Sequence, residues 1–262
     1  VDRESQYSVL TSTVSEITHA RAVFKRSTRG WYKQLALPDL TGFLNAPMER
    51  PKEMLPKRLE QHVIDAINEA APQLAKENPA LRIVHLLFSR AGMRNKEIAL
   101  ARRGWITKTP ELAAKGIAAR LSVIPRPEED FEPKGKPRHI PMDPATLAEI
   151  EKLWTRSADG DFLVPAEHKT ARYDLIYHEH RAWLAQLGVK DYRKVSYELR
   201  RLAGSLLYRH TRDIRAVQRF LGHASLTTTE KHYQYDLDET PPIPTTEFAA
   251  PAPDNVVKFA QQ

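Results

Sequence analysis

Residues 221–235 read LGHASLTTTEKHYQY. Leu221-Gly222 ends one helix signal, and a Ser/Thr run ahead of Glu230 opens the next. His223 follows the break, and two phenols, Tyr233 and Tyr235, stand two residues apart. Residues two apart on a helix point roughly 200° from one another, so only one of these phenols faces a given site.

Upstream of this stretch the chain is dominated by helical patterns. DIRAVQRFLGH (213–223) places Ile214, Val217, Phe220 and Leu221 on one stripe. YELRRLAGSLLYRH (197–210), YDLIYHEHRAWLAQLG (173–188) and ATLAEIEKLW (145–154) read the same way. Between residues 116 and 142 the pattern changes: GIAARLSVIP and KPRHIPM are strand-like and flank the loop RPEEDFEPKG, which predicts a small antiparallel sheet. LRIVHLLFSRAGMRNKEIALARRGWI (81–106) gives two short helices divided around Gly92. KRLEQHVIDAINEAAPQLAKENP (57–79) gives one helix breaking near Pro79.

A first helix is expected within residues 12–36, from Val14, Ile17, Ala20, Val23 and Phe24. The proline-containing segment 36–56 is a linker. The fold class is therefore mainly α with a small antiparallel β-sheet (α+β). Its expected divisions are residues 1–50, 51–240 and a tail, 241–262, in which NVVKFA (255–260) is the sole apolar patch.

Forty Lys and Arg stand against 33 Asp and Glu, a formal charge of +7, which favours a polyanionic partner such as nucleic acid. Cysteine is absent, which excludes disulfides, thiolate metal sites and a cysteine nucleophile. No run approaches the ~18 apolar residues of a membrane span, so the chain reads as soluble and cytoplasmic, with no membrane partner.

The polar residues at helix ends and turns suit one chemistry. Arg94 follows AGM at a helix junction, Lys134, Lys136 and Arg138 crowd KGKPRH, and Tyr197 and Arg200 share a helix face at i, i+3. No carboxylate pair or Ser-His-Asp order accompanies them. Attack on phosphorus builds charge on non-bridging oxygens, which arginine forks neutralise bidentately. A lysine can protonate the departing oxygen and a tyrosine can attack.

These segments resemble, in order, the catalytic domain of the tyrosine recombinase/phage integrase family over roughly residues 55–235. AGMRNKEIALA (91–101) is similar to its first arginine box, KGKPRHIP (134–141) to its hairpin lysine segment, YELRRLAGS (197–205) to its second box, and FLGHASLTTTEKHY (220–233) to the run leading to its nucleophile. The resemblance implies a tyrosine recombinase-like fold in which Arg94 and Arg200 clamp the scissile phosphate and His223 donates a hydrogen bond to it. Tyr233 would attack to leave a 3′-phosphotyrosine, with no metal, ATP or other cofactor. TEKHY favours Tyr233 over Tyr235. Lys134 is the expected general acid and Lys136 the alternative. Tyr197 stands where the second box usually has histidine, with packing as its plainer role, and the hairpin is one residue shorter than the family's usual Lys-x-Gly-Lys-x-Arg.

Lys136, Arg138, Arg102, Arg103 and Arg201 are expected DNA contacts. Glu97 is expected as a bracing or surface residue, and His178, His180 and His210 as surface or helix-end residues. The implied partners are double-stranded DNA, further copies of the chain in a tetramer on paired sites, and accessory DNA-bending proteins. Helix 12–36 would belong to a core-binding domain, and NVVKFA would dock on a neighbouring protomer. The rival readings are a type IB topoisomerase, a telomere resolvase-like enzyme, and a DNA-binding regulator that has lost activity.

Overall fold

A computed structural model describes residues 3–24, 38–48, 59–158, 160–189 and 195–230. The chain divides into two units, Val1–Lys57 and Arg58–Gln262. In the first, α1 spans Arg3–Val23 and a short α2 spans Thr41–Asn45. Helix α1 thus begins well before the expected stretch, whose end at residues 25–36 lies outside the described residues. Arg21 donates to the carbonyl of Ala46 at 2.7 Å and lies 5.5 Å from the Phe43 ring centre.

The second unit is built around α5 (Pro79–Ser89). It starts where Pro79 presets the first turn and the Asn78 side chain accepts from the Leu81 amide at 3.0 Å. All but four of its eleven residues are buried, because it is covered by neighbours on several sides. Before it run α3 (Gln61–Ala70) and α4 (Leu74–Glu77), separated by a tight turn at Ala71–Gln73. The break expected near Pro79 is present, with Asn78 outside both helices, and a further one falls at Pro72, where the proline ring cannot continue α-helical hydrogen bonding. After α5 come α6 (Asn95–Leu100) and the sheet: β1 (Ile106–Thr107), then α7 (Pro110–Ala114), β2 (Ala119–Val123) and β3 (Arg138–Met142).

The strands lie antiparallel in the order β1-β2-β3, with Leu121 opposite Ile140 and Val123 opposite Arg138. Side chains alternate along β3, so Arg138, Ile140 and Met142 turn inward while His139 and Pro141 face out. Helix α8 (Pro144–Leu153) follows, capped by Asp143, which accepts from the Thr146 amide at 2.9 Å.

Next come α9 (Lys169–Asp174), a π-helical turn (Leu175–Glu179) and α10 (His180–Gln186), which together form the helical stretch read at 173–188. Helices α11 (Val195–Thr211) and α12 (Ile214–Leu221) come next, and residues 226–230 begin another helix. Helix α12 ends at Gly222, whose φ of +64° is the left-handed cap that glycine adopts without strain. A core running from Val63 through Leu199 joins α3, α5, the sheet, α8, α10 and α11, so the ends of α5, α11 and α12 are held by packed neighbours. No helix among the described residues is long and apolar enough to cross a membrane.

Candidate active site

The turn after α5 brings its backbone up against the end of α12. Gly92 has a φ of +55°, and a Cβ there would lie 2.8 Å from the Phe220 ring. Arg200, from the second turn of α11, reaches between the two elements and donates to the carbonyls of Gly92 and Leu221. It is 1% exposed. Burial, then the charges of Arg94 and Arg138, push its pKa down to about 10, so it keeps its proton at neutral pH.

Arg94 begins α6 in an extended conformation, and Glu97 folds back to accept from both its amide at 2.8 Å and its guanidinium at 2.9 Å. The same carboxylate accepts from Arg138 at 3.0 and 2.5 Å. Burial would raise the Glu97 pKa, but the hydrogen bonds and charge of Arg138, with the charges of Arg94 and Arg200, hold it below the ordinary value. Three arginines around one carboxylate leave the cluster net positive. Of the two expectations for Glu97, bracing or surface, its burial and its bonds to Arg94 and Arg138 fit the first.

The hairpin tip docks on the turn after α12. Lys136 donates its amide to the Gly222 carbonyl at 3.2 Å, and Arg94 approaches the same oxygen at 3.4 Å. Only glycine fits on either side. A Cβ on Gly135 (φ +122°) would come within 2.3 Å of Gly222 O, and one on Gly222 within 2.8 Å of Lys136 O. Lys134, directly before Gly135 in this contact, lines the same cleft as His223. His223 is buried, with its amide bonded to the Gln218 carbonyl at 3.1 Å and Nδ1 3.0 Å from Thr229 Oγ1. Thr229 sets the ring's orientation from the helix beginning at 226.

These elements surround a cleft of about 860 Å³. Arg94, Lys134, Tyr197 and His223 all line it. Arg200 lies behind its wall, with its guanidinium 5.9 Å from the Tyr197 ring centre. Tyr233 and Tyr235 lie outside the described residues, as does NVVKFA. The arrangement can hold an anion between Arg94 and His223 and present an exposed ammonium, Lys134, at the same cleft.

Several expected contacts sit elsewhere. Arg138 was expected on the DNA surface, but strand alternation turns it inward onto Glu97. Arg201 is largely buried and paired with Glu198 at 2.6 Å. Arg102 lies 4.2 Å from the Phe162 ring centre and Arg103 4.5 Å from that of Trp154. Neither lines the cleft, and Arg103 borders a separate cavity of about 330 Å³. Lys136 is exposed at the hairpin tip and is not among the cleft-lining residues. His178 and His210 are exposed as expected, but His180 is fully buried among Phe88, His85 and Trp183. Its helix packs against α5, and that turns the ring into the core.

The sequence reading missed Lys96, Tyr177, Arg181 and Ser196 on the cleft wall. Tyr177 and Arg181 are spaced i, i+4, the one signal that would have paired them. Among the described residues no group of three or more His, Asp or Glu is placed to hold a metal ion.

The fold has known counterparts. XerH site-specific recombinase bound to palindromic difH substrate, in a post-cleavage complex, aligns at 19% identity and TM-score 0.54, covering 71% of this chain and 51% of that one. XerA recombinase aligns at 19% identity and TM-score 0.51, covering 91% and 74%. The Tn1549 transposon integrase in complex with transposon right end DNA aligns at 13% identity and TM-score 0.54, covering 89% and 81%. The chain thus spans about half the length of the XerH chain it matches. At these identities the likeness is one of fold. Comparison with curated proteins gives no match. The phage integrase family pattern matches residues 57–239, which is most of the chain and includes every segment that builds the cleft. The chain belongs to the phage integrase family.

Proposed function

We propose that the protein is a site-specific DNA recombinase that cleaves and rejoins strands through a 3′-phosphotyrosine on Tyr233, without ATP or metal. The observation that carries this is the convergence of Arg94, Lys134, Tyr197 and His223 on one cleft from four separate elements. Arg94 and the His223 ring face a phosphate in that cleft and offset the charge that grows on its non-bridging oxygens. Tyr233 loses its phenolic proton to water and attacks phosphorus. The bond to the 5′-oxygen breaks, and Lys134 gives that oxygen a proton. The bond energy is retained in the phosphotyrosine, so a 5′-hydroxyl reverses the step without ATP.

Lys134, rather than Lys136, fits the general acid because it borders the cleft. Tyr197 donates its hydroxyl to a phosphate oxygen. Arg200 acts from behind by fixing the Gly92 and Leu221 backbones and adding positive potential. Double-stranded DNA as substrate is supported by XerH and the Tn1549 integrase, whose solved structures are DNA complexes. A tetramer on paired sites, with accessory DNA-bending proteins, completes the reading.

One observation favours a second reading, an accessory DNA-binding protein with weakened cleavage: the Arg200 guanidinium closes on two backbone carbonyls. A nicked duplex carrying the chain's own site, selected from random DNA by binding, separates the two. Incubation should give a covalent adduct that survives denaturation and disappears in Tyr233→Phe. Tight binding with no adduct would establish the accessory reading instead.

A further inference from the structure

Behind the cleft wall runs a buried hydrogen-bonded row that the reaction above does not use. His180 Nδ1 lies 3.1 Å from Ser196 Oγ, and His180 Nε2 lies 3.4 Å from His85 Nδ1. The Phe88 ring stacks on His180 at 5.1 Å with an interplanar angle of 6°, and Trp183 lies 5.9 Å away at 20°. The ring therefore cannot turn without disturbing the core. Ser196 closes the row at the cleft end: it lines the cleft and directly precedes Tyr197.

Burial lowers the His180 pKa to about 3. Burial, then the charges of His180, Arg82 and Arg90, take His85 well below its ordinary value. Both rings are neutral at neutral pH, and each carries one N–H. Such a row has two polarities. In one, Ser196 donates to His180 Nδ1 and His180 Nε2–H donates to His85. In the other, His85 Nδ1–H donates to His180 and His180 Nδ1–H donates to Ser196 Oγ, which directs the serine proton away from the row. A phosphodiester oxygen accepts and never donates, so a phosphate beside Ser196 is compatible only with the second polarity.

We propose that Ser196 is a phosphate donor of the cleft and that His180, backed by His85, is the positioning residue that aims its hydroxyl. The proposal rests on the phosphodiester reading above. It makes the first turn of α11 a phosphate contact, through Ser196 and Tyr197 together.

Ring-nitrogen NMR of the full chain, titrated with inorganic phosphate, tests it. The His223 ring reports whether phosphate enters the cleft. With occupancy, the His180 Nδ1 resonance should move toward the protonated, N–H position, and Ser196→Ala should abolish that movement while His223 still responds. A His223 response without one from His180, or a His180 response that survives Ser196→Ala, overturns the proposal. Silence from both rings at saturating phosphate overturns the phosphodiester reading and the proposal with it. On the selected duplex, Ser196→Ala should slow adduct formation roughly tenfold or more, as expected for a hydrogen bond to a charged oxygen. The DNA concentration at half-saturation should change far less than the rate, and Ser196→Thr should restore most of the rate. Equal rates for Ser196→Ala and the parent chain would also overturn it.

Discussion

Replacing Glu97 by alanine should be among the most damaging single changes in the second unit. Its carboxylate is 2% exposed and bonds the Arg94 amide, the Arg94 guanidinium and both terminal nitrogens of Arg138. Arg94 is partly exposed and can recover by turning to water, whereas Arg138 is held inward by β3 register. Alanine therefore leaves a buried guanidinium uncompensated, a loss of about 3–5 kcal/mol. For a unit of roughly 200 residues that corresponds to a fall in Tm of roughly 6–20 °C.

Thermal and urea unfolding of the parent, Glu97→Ala and Glu97→Leu/Arg138→Met measure it. The double variant removes both charges and should be more stable than Glu97→Ala, because burying apolar groups there avoids the unpaired charge. The pH dependence has a definite sign. The folded carboxyl sits below its ordinary value of 4.5, so the ion pair contributes fully above that value. The contribution disappears as pH falls through the lower folded value. Glu97→Gln should flatten that acid limb. A Glu97→Ala stability within about 0.5 kcal/mol of the parent, a loss no larger than an ordinary surface change, would refute the burial argument.

Three further outcomes follow from the geometry. His180 has a folded pKa of about 3 against an ordinary 6.5, so the unfolded chain binds its proton first. Stability should fall as pH drops from about 6.5 toward 3, by about 1.4 kcal/mol per pH unit at most for this one group, and His180→Phe should reduce that slope in urea unfolding. Lys134→Ala should abolish adduct formation on an ordinary duplex and recover it when the leaving 5′-oxygen is replaced by sulfur, which departs without a proton. Lys136→Ala should weaken binding instead, and the opposite pattern would exchange their roles. Gly222→Ala meets Lys136 O at 2.8 Å with φ at +64°, so it should lower the unfolding midpoint by about 1–3 kcal/mol and impair cleavage. Gly104→Ala, with open space around it, should do neither.

The parts legible in the sequence are those whose signal is local. Helices α5, α11 and α12 announce themselves by apolar spacing, and β2 and β3 by the change of period around the 126–135 loop. Arg94, Lys134, Tyr197 and His223 stand in ordered segments, which is why four residues from separate elements could be expected at one place. Strand β1 is two residues long, too short for any period to show. Arg138 was misplaced because its charge outweighed an alternation already present in Arg138-x-Ile140-x-Met142. Even a correct inward assignment would not have named Glu97, 41 positions away, as its partner. His180 and His85 are 95 positions apart and meet only because α5 and α10 pack together.

Arg200 is the limiting case. Its partners, Gly92 108 positions away and Leu221 21 away, are backbone carbonyls, which every residue possesses. No side-chain pattern could have identified them. What distinguishes those two oxygens is that a left-handed glycine and a helix C-terminus leave each without a helical partner in reach of one guanidinium. The same arginine that the motif marks for phosphate thus also joins the two turns that carry Arg94 and His223. A lysine at position 200 would keep the charge but present one nitrogen where two are used. It should therefore displace both turns although the charge is kept, and adduct formation on the selected duplex should slow; a rate equal to the parent's would refute this bracing role.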